Sequence, residues 1–230
     1  VLETFKYLVK GKTSKTPLPA DVLEQLAAGV DLTEDESVRE YPYRQVIGAL
    51  LYMSMYTKPE IAYAVGVLSR FNDKKTEASC KMLTHLLRYL NGHPECEIEF
   101  NGIRLDMHGF SDADWGSDLI TRRSTTGYIV FAAGGPISWQ SKLQTTVATS
   151  SLESEYMALY SGIQELVWLR GVLREIGLSE VKPTPFMIDS KSALDLAGNP
   201  VFHKRSKHID IKYHWLREHA GEGGFNTVTL

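Results

Sequence analysis

Cysteine is the scarcest reactive residue in this 230-residue chain, with only Cys80 and Cys96 present. Two thiols cannot build a disulfide framework and form no paired motif for zinc, so a reducing interior compartment is the expectation. Long apolar runs are lacking too. Val46–Met55 and Ile61–Leu68 are interrupted by polar residues or glycine and fall short of the roughly 20 residues a bilayer crossing needs, so no membrane partner is expected. Nor is positive charge in excess. A net charge of −3 argues against a protein that binds nucleic acid through an overall basic face. Two local clusters remain: Lys6, Lys10, Lys12 and Lys15, and Lys204, Arg205, Lys207 and Lys212. No Gly-x-Ser-x-Gly elbow occurs, which leaves serine-hydrolase chemistry unsupported. Gly11-Lys12-Thr13 ends like a phosphate loop, but Lys6 stands where the first glycine belongs. His203, His208, His214 and His219 lack a metal-site frame. Val1-Leu2-Glu3 carries neither an initiator methionine nor a leader, and the expectation is a piece of a longer chain.

What is present begins as helices. Val46, Ile47, Leu50, Leu51 and Met53 recur at helical spacing within Tyr43–Met55. Thr57-Lys58-Pro59-Glu60 has capping-box spacing and predicts a second helix through Phe71. A third is expected over 76–91, stopped by Gly92. Thr13–Pro19 and the acidic stretch Asp31–Glu40 look like linkers. After Pro94 the texture turns to strands. Glu97–Phe100, Leu105–Ser111, Thr126–Ala132 and Ile137–Gln140 suggest an antiparallel meander. Ser150 and Glu153 have capping-box spacing before a helix that runs to about Ile176 and ends at Gly177. A strand over Pro185–Ile188, a short helix over Ser192–Ala197, a helix over Ile209–His219 and a strand over Phe225–Leu230 complete the reading.

Three acids fall at special points of that order. Asp112 ends the strand Leu105–Ser111, Glu155 lies in the first turn of the long helix, and Asp189 ends the strand Pro185–Ile188. Sites outside the carboxyl ends of strands are the general rule in α/β sheets. An oxygen-only set suits Mg2+ or Mn2+, and two such ions can serve an in-line attack on a phosphodiester. Each acid also has a plainer reading. Asp112, Asp114 and Asp118 could be turn residues, Glu155 a helix-dipole acid and Asp189 a cap. Trp115 and Trp139 could stack on nucleic acid, but burial in a core is the expectation for both.

The strings "YRQVIGALLYMSMYTKPEIAYAVGVLSRF", "LLRYLNG", "GFSDADWGSD", "RRSTTGYIVFAAGGPISWQSKLQTTVATSSLESEYMAL" and "DSKSALDLAGNPVFHKRSKHIDIKYHWLRE", in this order, resemble the C-terminal part of the copia-type LTR-retrotransposon Pol polyprotein. There, reverse transcriptase runs into ribonuclease H. The resemblance implies a helical thumb/connection-like region over 1–95. It implies a ribonuclease H-like α/β domain over 96–230, with a mixed five-stranded sheet and flanking helices. It also implies hydrolysis of the RNA strand of RNA–DNA hybrids using two Mg2+ or Mn2+ ions. Asp112, Glu155 and Asp189 match the family's metal-binding positions, and Ser151, Lys191, Lys207 and His208 would meet the hybrid. Lys191 departs from the family's more frequent glutamine, which would trade a base-edge hydrogen bond for a phosphate contact. The rest of the polyprotein would be a partner, in a cytoplasmic virus-like particle or the nucleus. The family's fourth carboxylate follows the last strand, so either the chain is truncated, which is the expectation, or Asp210 replaces it. The rival readings are an inactive nucleic-acid-binding or structural remnant and a DNA-acting nuclease of the same fold.

Overall fold

The computed structural model describes residues 2–9, 11, 13–28, 36–102, 104–178, 182–190, 212, 214–216, 218–219 and 225–229. It divides into two compact units: Val1–Ile98 with Asp118–Thr121, and Glu99–Ser117 with Arg122–Leu230.

The first unit contains α1 (Val22–Ala28), α2 (Glu36–Glu40), α3 (Tyr43–Tyr56), α4 (Ala62–Ser69) and α5 (Glu77–Gly92). Val46, Ile47 and Leu50 of α3 are wholly buried, as their spacing predicts, together with Leu68 of α4 and Leu83, Leu86 and Leu87 of α5. Thr76 caps α5 by accepting from the Ser79 N–H, and the Ser79 hydroxyl accepts from Thr76 N–H in return. The box expected at Thr57 does not form. Its hydroxyl donates back to the Met53 carbonyl, so Thr57 finishes α3, and a short 3-10 turn, Pro59–Ile61, precedes α4. Part of the supposed linker is structured, because Val38 of α2 is buried in this core.

The second unit is built on β1 (His108–Asp114), β2 (Thr125–Ala132), β3 (Gly135–Leu143), β4 (Thr184–Ile188) and β5 (Phe225–Thr229). The strand order is β3-β2-β1-β4-β5. β1, β2 and β3 pair antiparallel, whereas β4 and β5 join in parallel. This is the mixed, ribonuclease H-like sheet. Glu97–Phe100 is not a strand, and β1 starts three residues later than its apolar pattern suggests. The cause is local: Asp106 has φ +36, which interrupts the extended run, and the Leu105 carbonyl accepts from Ala133 N–H outside the strand ladder.

One long helix, α6 (Ser151–Glu175), packs across β1 and β2. Ser150 caps it by accepting from Glu153 N–H, and Gly177, at φ +79, follows its end. The Glu153 carboxylate reaches past the cap residue and accepts from both the N–H and the hydroxyl of Thr149. Tyr156, Leu159, Ile163 and Leu166 of α6 bury against Val130, Phe186 and Ile188. Phe186 is completely buried, and a Cβ at either Gly109 of β1 or Gly162 of α6 would collide with its ring. The helix therefore lies as close to the sheet as one aromatic ring allows. Leu216 joins this core and Trp215 meets Tyr160 edge-on. The expected helix over Ser192–Ala197 lies outside the described residues.

Candidate metal centre

The register of the parallel strands accounts for the first two acids. Gly109 pairs with Phe186, and Asp112 and Asp189 stand three residues beyond each of them. Two carboxylates thus leave neighbouring strands at the same level. The third comes from α6, whose fifth residue is Glu155, just past the first turn rather than within it. One carboxylate oxygen from each of Asp112, Glu155 and Asp189 lies within 4.8 Å of the others. Asp112 is the last acid but one of β1 rather than a residue after it, because the strand continues through Asp114.

The electrostatics fit a cation. Glu155 is pushed up to about 7, first by partial burial and then by the charges of Asp112 and Asp189, with the Ala113 N–H opposing. Asp112 and Asp189 are exposed, and Asp112 accepts from the Ala113 N–H at 2.8 Å. Three converging carboxylates, with no ion pair to a basic side chain among the described residues, form an all-oxygen donor set, the kind that holds Mg2+ or Mn2+.

The remaining expectations divide. Asp118, close in sequence to Asp112, takes no part in the cluster. It is buried, accepts from the N–H groups of Ile120 and Thr121, and pairs with Arg70 at 2.7 Å. Burial raises its pKa, but the two N–H donors and Arg70 outweigh that and hold it below the usual carboxylate range. Asp114 is exposed on β1. Trp115 is not in the core: it is 52% exposed, while Trp139 is half-buried. Ser151 is exposed at the first position of α6. Lys191, Lys207, His208 and Asp210 lie outside the described residues, as do Lys204 and Arg205.

Two positioning contacts escape sequence reasoning. Gln144 is buried and donates from its amide to the Thr126 hydroxyl and the Ser154 carbonyl, tying the start of α6 to β2. Trp115 donates its indole N–H to the Ala148 carbonyl, tying the turn after β1 to the approach to α6. Neither has a sequence signature, since each links positions far apart through a backbone carbonyl.

No family model matches the chain. The whole chain is 39% identical over 231 residues to the retrovirus-related Pol polyprotein from transposon TNT 1-94 of Nicotiana tabacum. Over 96% of its length it is 37% identical to that from transposon RE1 of Arabidopsis thaliana. These homologues are retrovirus-related Pol polyproteins of plant transposons. The chain spans 17% and 15% of the lengths of these two curated Pol relatives. The fold of the chain also matches a foamy viral protease-reverse transcriptase solved with double-stranded DNA. That match has a TM-score of 0.51 at 12% identity and covers 92% of this chain and 35% of that one.

Proposed function

We propose that this segment is the ribonuclease H part of a copia-type transposon Pol polyprotein, cutting the RNA strand of RNA–DNA hybrids with two divalent ions. The observation that carries the reading is the meeting of Asp112, Glu155 and Asp189 within 4.8 Å at the carboxyl ends of β1 and β4. The ribonuclease H-like sheet and the Pol relatives support the reaction class. Bound Mg2+ or Mn2+ would supply Lewis-acid stabilisation of charge building on phosphoryl oxygens. The chain's own contribution is geometry. Asp112 is fixed within the strand ladder, Asp189 directly follows β4, and Glu155 stands on a capped helix, so the donors need little rearrangement on loading. The exposed side of the site admits a backbone phosphate. Ser151, at the mouth of α6, is the described residue offered as a contact to the hybrid, and Lys191, Lys207 and His208 extend that proposal. The helical unit over 1–95 is read as the thumb or connection region, with the rest of the polyprotein as partner.

The test is incubation of the chain with labelled RNA–DNA hybrid, duplex RNA and duplex DNA in Mg2+ or Mn2+. Expected is cleavage of the RNA of the hybrid alone, reduced at least about a hundredfold in Asp112→Asn and Glu155→Gln. Cleavage that survives both substitutions would remove the proposed site. Cut duplex DNA would redirect the substrate class.

A further inference from the structure

The turn after β1 holds a tryptophan whose placement folding does not explain. Trp115 stands three residues beyond Asp112 and keeps 52% of its surface exposed, so much of the hydrophobic gain an indole offers is forgone. It is nevertheless held firmly. Its Nε1–H donates to the Ala148 carbonyl at 3.2 Å. Gly116, the next residue, adopts φ +59 and donates its N–H to the hydroxyl of the fully buried Ser124 at 3.0 Å. Val147, 51% exposed, immediately precedes the residue that anchors the ring. A fixed, water-facing indole thus links the strand that carries Asp112 to the approach of the helix that carries Glu155.

We propose that Trp115 is a stacking platform for nucleic acid, its ring lying against the sugar and base edge of the strand presented to the three carboxylates. The proposal rests on the ribonuclease H-type reading above and adds a specific contact to it. Aromatic contact to nucleotides tolerates any sequence, because every nucleotide offers an apolar face. A ring whose N–H is bonded and whose following backbone is anchored loses little freedom when the ligand arrives. The wide, shallow minor groove of an A-like hybrid is open to a flat side chain. Trp168 supplies an internal control. It is 61% exposed on the same helix as Glu155, but thirteen residues further on, about 20 Å along the axis.

The experiment measures affinity of the full chain for a fluorescently labelled RNA–DNA hybrid, without divalent ions, in an Asp112→Asn background. Trp115→Ala should weaken binding about tenfold or more. Trp115→Phe, which keeps a ring and loses the N–H, should stay within about threefold, and Trp168→Ala should match the parent. Unchanged affinity in Trp115→Ala overturns the proposal. Equal losses in the phenylalanine and alanine variants overturn it as well, because the N–H anchor rather than the ring would then be what matters. A parent chain that shows no hybrid affinity sinks the ribonuclease H reading itself, a result distinct from either.

Discussion

Asp112, Glu155 and Asp189 repel one another in the ion-free protein, and that repulsion is measurable. Glu155 is raised from its ordinary value near 4.5 to about 7, first by partial burial and then by the charges of Asp112 and Asp189. Between those values the folded chain holds more protons at this group than the unfolded chain does, so its contribution to stability falls as pH rises through the window. In EDTA, the drop in denaturant midpoint between pH 5 and pH 7.5 should be larger for the parent than for Glu155→Gln. Asp112→Asn removes one neighbouring charge while its carbonyl can still accept from Ala113 N–H, and it should raise the EDTA thermal midpoint at pH 7.5. A lowered midpoint would mean that the acids do not strain the fold. Asp118 behaves oppositely: with its pKa depressed, the stability it provides is present above the ordinary carboxylate range and is lost as pH falls through its folded-state value. Neither behaviour could be read from adjacency, since Asp112 and Asp118 share one short stretch and go to different tasks.

At the scale of elements, α6 determines how near Glu155 comes to the two aspartates, and its glycines are not equivalent. A Cβ on Gly162 meets the Phe186 ring, whereas a Cβ on Gly171 meets nothing within 4 Å. Gly162→Ala should therefore cost about 1–3 kcal/mol through overpacking. Gly171→Ala should gain about 0.5–1 kcal/mol from helix propensity. Chemical denaturation of the two variants checks both signs. The periodicity of α3, α5 and α6 and the Ser150 cap were legible because they depend on local spacing. The limits of β1 were not, since one left-handed residue just before it, Asp106, decides where extension begins, and an aspartate can adopt many conformations. Thr57 also misled, because a hydroxyl between two helices can serve either one, and here it bonds backwards to Met53.

For the molecule as a whole, order along the chain proved more informative than composition. A net charge of −3 says nothing of a site, yet the succession of strands and helix brings acids from residues 112, 155 and 189 together. The half-exposed position of Trp115 was not legible, because burial depends on what the finished fold leaves uncovered. A ligand that binds only the folded chain stabilises it by about 2.7 kcal/mol at a hundred times its dissociation constant. Saturating Mg2+ or Mn2+ should therefore raise the thermal midpoint of the chain, beyond the effect of NaCl at matched ionic strength. Asp112→Asn should abolish most of that gain, and equal gains in both proteins would place the ions elsewhere.

The ring of Phe186, wedged between Gly109 and Gly162, acts as a spacer gauge for the three acids. Its thickness sets the gap between the helix bearing Glu155 and the sheet bearing Asp112, so under the proposed two-ion reading a side chain remote from the acids would govern which ionic radius the site accommodates. Thinning that shim by Phe186→Leu should shift the ratio of Ca2+ to Mg2+ affinity, a change that titration calorimetry would register even in a protein without substrate.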